Sequence, residues 1–254
     1  MQTDAGSRTM LQARALEIWQ VIQGYDAPYA WSVGPKARAK LEDILGRPVA
    51  CWQASTPADV NRSLRTLMRD VLNDPATDAV TAGRLYGWIV ADWGGVRRNR
   101  SEVETWAAPS FGWHAGYDDA VLLAYADRVG VKRISSWSKV FAFAAPDRHA
   151  IYDSRVAVAL NLALEQLGET ERFFMPPSRV VRGKDGAYRP NAVARARARM
   201  KGEGRLGYRD YLSWLESVRF ADGQDFLTIE ATLFAVAPEM ASGTTEAAVR
   251  AGDG

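Results

Sequence analysis

The sequence predicts an all-α protein. Three observations carry that expectation. Apolar residues recur at helical spacing along most of the 254 residues. Proline and glycine stand near the ends of those stripes, where helices start and stop. No stretch combines strict alternation with a tight turn, as a strand hairpin requires.

Leu11, Ala15, Ile18 and Ile22 form the first stripe, and Gly24 stands where that helix would stop. A second helix is expected from Pro35 to just before Gly46, with Leu41, Ile44 and Leu45 inward. The third has the fullest start signal: Thr56 as N-cap, Pro57 at the first helical position and Asp59 facing the positive helix end. Val60, Leu64, Leu67, Met68 and Val71 make its inward stripe, with Arg62, Arg65 and Arg69 on other faces. Further helices are expected at about 78–93, 117–129, 135–145, 153–167, 206–219 and 224–237, the last ended by Pro238. The run from Val49 to Trp52 is too short to assign. Residues 94–116 read as a long ordered loop rich in Trp and Phe. Residues 8–240 are read as a single domain, and 241–254 as a frayed tail.

Composition excludes several classes. Hydrophobic residues make up 47% of the chain, which rules out wholesale disorder. Lys plus Arg is 32 and Asp plus Glu is 30, so the net charge of +2 announces no nucleic-acid binder. Charge is nevertheless uneven. Arg179, Arg182, Lys184, Arg189, Arg195, Arg197, Arg199, Lys201 and Arg205 face only Asp185 and Glu203 within 179–205. Read as a flexible basic loop with Tyr188 close by, this stretch suits a phosphate backbone. The single cysteine, Cys51, excludes an intrachain disulfide, and His114 and His149 leave little for a transition metal. No cofactor and no metal are expected. No apolar run approaches the ~20 residues that span a bilayer. The N-terminus lacks a basic-then-apolar export pattern, so a cytoplasmic setting without membrane contact is expected.

The informative segment runs from Ile134 to Val156: small polar residues, a short apolar helix, a Pro-containing loop, then Asp153 opening a new helix. Val156, Leu160, Ala163 and Leu167 give that helix its buried stripe. Asp153 therefore stands at an N-cap, where backbone N–H groups and the helix dipole favour a carboxylate. Arg148, His149 and Arg155 flank it, either as phosphate contacts or as partners of surface carboxylates. Trp93, Trp106, Phe111, Trp113, Trp137 and Tyr152 are the aromatic residues nearest the segment. His114 reads as a structural or pocket-edge histidine.

This arrangement resembles the helix-hairpin-helix DNA glycosylase superfamily, in particular bacterial proteins of 8-oxoguanine DNA glycosylase fold. The close resemblance covers about 25 residues, from Ile134-Ser135-Ser136-Trp137-Ser138 through Lys139 to Asp153-Ser154-Arg155-Val156. It implies a two-lobed all-α domain in which Ser135, Ser136, Trp137 and Ser138 form a DNA-contacting hairpin. It also implies Lys139 as an amine nucleophile and Asp153 as the essential carboxylate. The hairpin differs from the family's glycine-rich one, and the Lys139-to-Asp153 interval is about a helical turn shorter. Either Lys139 is displaced along its helix or the loop is trimmed with the geometry kept.

The chemistry explains the residue types. Breaking a base–sugar bond builds positive charge on the sugar, which a preorganised carboxylate stabilises. A neutral amine attacks the sugar carbon to give a Schiff base. The target base must leave the stack of double-stranded DNA and enter a pocket, for which Trp93, Trp113, His114 and Tyr152 are the candidate walls. Arg148, Arg155, Arg195, Arg197 and Arg199 are the candidate phosphate contacts. The expected function is excision of a damaged or modified, 8-oxoguanine-like base, with lyase activity depending on Lys139. The alternative is a non-catalytic module that binds a modified base, a nucleotide or a partner; the resemblance extends to proteins of bacterial phage-defence gene sets. A third reading is a helical scaffold whose basic stretch meets an acidic protein.

Overall fold

The computed structural model describes residues 5–106, 123, 133–176, 191–200 and 204–252. In chain order the helices are α1 (Ala5–Ala13), α2 (Ala15–Gln23), α3 (Pro35–Leu45), α4 (Pro57–Leu72), α5 (Ala79–Gly87), α6 (Arg100–Trp106), α7 (Ile134–Ala144), α8 (Ser154–Gln166), α9 (Ala192–Arg199), α10 (Tyr208–Asp222) and α11 (Phe226–Gly252). Short 3-10 turns occupy Ala50–Gln53 and Arg97–Asn99, and Trp88–Trp93 winds as a π-helix. Among the described residues no strand forms, and the extended pairing is the isolated Phe173–Leu206 bridge. The protein is therefore mostly helical. No helix of the described residues is long and apolar enough to cross a membrane.

The chain divides into two compact units. The first comprises Met1–Tyr29, Val129–Ser135 and Tyr152–Gly254, and the second Ala30–Arg128 and Ser136–Ile151.

In the first unit α8 is the core element. Every residue from Val156 to Leu164 is buried, so this helix is enclosed on all sides by its neighbours rather than laid on a surface. It packs against α2, α9 and α11. Its one polar core residue, Asn161, is bonded through both its amide nitrogen and its oxygen. The Asn161 amide donates to the Phe173 carbonyl at 2.9 Å, and its oxygen accepts from the Phe173 N–H at 2.6 Å. Asn161 thereby ties down the extended stretch around residue 173, where a strand ladder would otherwise satisfy the backbone. Gly204 lies against the same stretch: a Cβ there would sit 2.4 Å from the Phe174 Cα, so only glycine permits this approach.

Several local expectations change here. The first stripe is split between α1 and α2, with the break at Arg14 (φ −106°, ψ 12°). The basic stretch contains a helix: Asn191 caps α9 by accepting from the Ala194 N–H at 2.9 Å, and Val193, Ala196 and Met200 are buried. Residues 177–190 and 201–203 lie outside the described residues. Pro238 does not end α11, which runs on to Gly252 through the stretch expected to fray. Proline forfeits one helical hydrogen bond. Yet Ile229, Leu233, Val236, Ala237, Met240 and Ala241 are buried on both sides of it, and that shared apolar face keeps the helix in one piece.

In the second unit Thr56 caps α4 as expected, accepting from the Asp59 N–H at 3.1 Å. The buried face of α4 is rotated, however, and consists of Asn61, Leu64, Arg65, Met68 and Leu72. Arg65 is 1% exposed, and its guanidinium lies 5.2 Å from the Phe143 ring centre. The arginine stem packs as hydrocarbon while its charge meets an aromatic face. The helix expected over 78–93 begins with Asp78, which accepts from the Val80 and Thr81 N–H groups at 2.8 and 2.9 Å. It then widens into the π-helix. The loop expected over 94–116 contains α6, and the helix expected at 117–129 lies outside the described residues apart from helical Leu123.

Cys51 sits in the turn before α4. Burial pushes its thiol up to about 11, with Arg38 pulling the other way. Only the thiolate reacts with alkylating agents. At neutral pH its reaction with iodoacetamide is expected to be slower than that of an open thiol by about two orders of magnitude. A rate that plateaus near the ordinary thiol range, around pH 8.5, would contradict this environment.

Candidate functional site

Asp153 lies in the first unit, immediately before α8, and is half-buried. Its extended backbone (φ −122°, ψ −175°) points the side chain back at the helix start. Oδ1 accepts from the Arg155 N–H at 2.8 Å and from the Val156 N–H at 3.3 Å. Among the described residues none bonds Oδ2. One oxygen is thus fixed by the helix, and the other is left to whatever approaches the helix end.

The neighbouring residue Tyr152 plays a different part. It is buried and its hydroxyl donates to the Phe174 carbonyl at 2.6 Å. Its ring lies 5.3 Å from Tyr211, 6.2 Å from Tyr208 and 6.4 Å from Phe173. Burial, and secondarily the Asp210 charge, hold the phenol well above its ordinary value. Tyr152 is therefore a core residue that braces the segment beside Asp153.

The cationic residues of the first unit are held in distinct ways. Arg155 places its guanidinium 4.3 Å from the Phe234 ring centre. Arg199 makes two bonds of 3.0 Å to the Glu165 carboxylate near the far end of α8. Arg197 donates to the Pro176 carbonyl at 3.2 Å, and Arg195 is exposed. Glu165 follows Asp153 by twelve positions, which is about 18 Å along a helix.

Lys139 belongs to the second unit and is buried at 5% exposure. Its stem lies against Gly94, where a Cβ would come 2.7 Å from Lys139 Cδ and 2.9 Å from Cε. The π-helix sets this contact, because the Gly94 N–H bonds the Ile89 carbonyl at 2.9 Å, five residues back. Glycine here serves close approach, since its φ of −85° is ordinary.

The other expected site residues of the second unit are mostly packed inside. Ser136, Trp137 and Ser138 are buried and Ser135 is half-buried. All four residues expected in a DNA-contacting hairpin thus lie in the first turns of α7. Trp137 stacks near Phe141 with ring centres 6.5 Å apart, and the Ser136 hydroxyl accepts from the Asn99 amide at 2.8 Å. The glycine-free sequence makes a continuous helical start to α7 instead of an open hairpin. Trp93 is also buried, 5.0 Å from Phe143 and 5.9 Å from Trp31. His149 is buried 5.6 Å from Phe141, while Arg148 is exposed. Trp113 and His114 lie outside the described residues. Among the described residues no group of three or more His, Cys, Asp or Glu is placed to hold a metal.

Sequence reasoning missed Gly94 and Asn99, which shape the surroundings of Lys139 and Ser136. The Gly94-Gly95 pair after Trp93 was a readable signal of close approach; Asn99 had none. Comparisons with protein-family models, curated proteins and solved structures give no match to this chain.

Proposed function

We propose that the protein binds DNA and excises a damaged or modified base, with Asp153 as the essential carboxylate. The observation that carries this reading is the asymmetric seating of Asp153. Two amides fix one oxygen, and no described residue bonds the other. A carboxylate held this way cannot swing toward the backbone as positive charge grows on a sugar, so its reorganisation cost is already met before reaction. The resemblance of Asp153-Ser154-Arg155-Val156 to the glycosylase helix start supplies the substrate class. Arg195 and Arg155, in the same unit, supply cationic groups for a phosphate backbone.

The test is a screen for free base released from duplexes carrying varied purine and pyrimidine lesions, with Asp153→Asn as control. Release by the parent and loss in the variant support the reading. Intact DNA throughout, with binding retained, favours the second reading: a module that recognises a modified base without cutting it. The burial of Ser136, Trp137, Ser138 and Lys139 is the observation in that reading's favour. Borohydride trapping addresses strand cleavage. A covalent adduct that vanishes in Lys139→Ala assigns the amine to Lys139, and no adduct in the parent leaves simple hydrolysis.

A further inference from the structure

We infer that the turn from Gly95 to Arg100 is a second phosphate grip, presenting Arg97 and Arg98 to successive phosphates of a nucleic-acid strand; this rests on the DNA reading above. The turn is tied at both ends to one helix. Gly94 lies against the Lys139 stem, and Asn99 bonds the Ser136 hydroxyl at 2.8 Å. Ser136 and Lys139 are neighbours on one turn of α7, so the four-residue stretch between the ties arches along the start of that helix. Inside the arch the backbone is also pinned. The Val96 N–H bonds the Val90 carbonyl at 2.9 Å, the Asn99 N–H bonds the Val96 carbonyl at 3.2 Å, and Gly95 takes φ +72°, which costs glycine least.

The charges on this arch are sorted. Arg100 is engaged by Asp92 at 2.6 Å and reaches Glu104 at 3.8 Å. Lys40 also meets Asp92, at 3.0 Å. Arg97 and Arg98 are exposed and make no ion pair with any described residue. A carboxylate cluster thus neutralises the base of the arch and leaves its crest cationic. Adjacent residues of a 3-10 turn point about 120° apart. Two guanidinium forks so divergent match a row of phosphates better than one small anion. The anchored backbone lowers the ordering cost of binding.

The experiment measures binding of a fluorescent 20-base-pair duplex across a salt series, with a labelled polyglutamate and inorganic phosphate as comparison probes. Variants are Arg97→Ala/Arg98→Ala, Asn99→Ala and Arg195→Ala/Arg199→Ala. The Arg97/Arg98 pair is expected to weaken duplex binding about tenfold at moderate salt and to reduce the salt slope by about 2, one unit per lost contact. Asn99→Ala keeps both charges, so its slope stays at the parent value while affinity falls several-fold. That split separates a positioned grip from loose surface charge. Both arginines are exposed, and an unchanged thermal melt verifies the fold. Parent affinity and slope in Arg97→Ala/Arg98→Ala overturn the inference while the DNA reading stands, and an equal loss of polyglutamate binding reassigns the arch to an acidic protein. Binding of inorganic phosphate as sensitive to the two arginines as duplex binding also overturns it. No salt-sensitive duplex binding by the parent removes the DNA reading itself, whatever the variants do.

Discussion

Asp153→Asn is expected to lower base release by about 10²- to 10⁴-fold with almost no change in melting temperature. Asparagine caps helices about as well as aspartate. Its carbonyl oxygen accepts from the Arg155 and Val156 amides just as Oδ1 does now. Only the charge is lost, and with it the stabilisation of the sugar cation that the proposed reaction would form. The helix dipole loses a favourable partner worth under about 1 kcal/mol. Asp153→Ala provides the contrast, since it removes charge and cap together and costs about 1 kcal/mol of stability as well. Single-turnover base release alongside thermal melts separates the two contributions. An Asp153→Asn protein that turns over at the parent rate would dismiss the carboxylate from the chemistry.

Asn161→Leu is expected to destabilise the first unit by about 2–5 kcal/mol. Leucine keeps the branched outline of the side chain but is bulkier, so overpacking of this fully buried site adds to the loss. The cost arises at Phe173, whose N–H and carbonyl both lose their partner in the core. Each buried orphan costs about 1–3 kcal/mol. Asn161→Asp is expected to be no milder, because a carboxylate accepts from the Phe173 N–H but cannot donate to the carbonyl, and it brings a charge into the core. The damage spreads along the same stretch, since Tyr152 bonds the Phe174 carbonyl and Arg197 bonds that of Pro176. Urea unfolding reads the effect as a lower midpoint with an unchanged slope. An unfolding free energy within about 0.5 kcal/mol of the parent would mean that water or another group satisfies Phe173.

How much of this was legible in the sequence varies by element. Thr56, Pro57 and Asp59 announced the start of α4, and the structure uses Thr56 as written, because a cap acts over three or four residues. The stripe expected on that helix was off by part of a turn. Arg65 turns inward because Phe143, nearly eighty residues away, offers an aromatic face. The Asp153 cap was legible for the same local reason as Thr56. The burial of Ser136, Trp137 and Ser138 was not, since small polar residues look alike whether they face solvent or accept a distant amide, as Ser136 does from Asn99.

Taken alone, the chain determined its helical character, the capped helix starts and the position of the carboxylate at one of them. These depend on backbone hydrogen bonding and apolar spacing within a few residues, and local chemistry is sufficient to settle them. Tertiary structure decided which cations remain exposed, which serines are enclosed, and that α11 persists through Pro238. Those outcomes depend on contacts between residues far apart in the chain, where the burial of a whole apolar face outweighs the preference of a single residue.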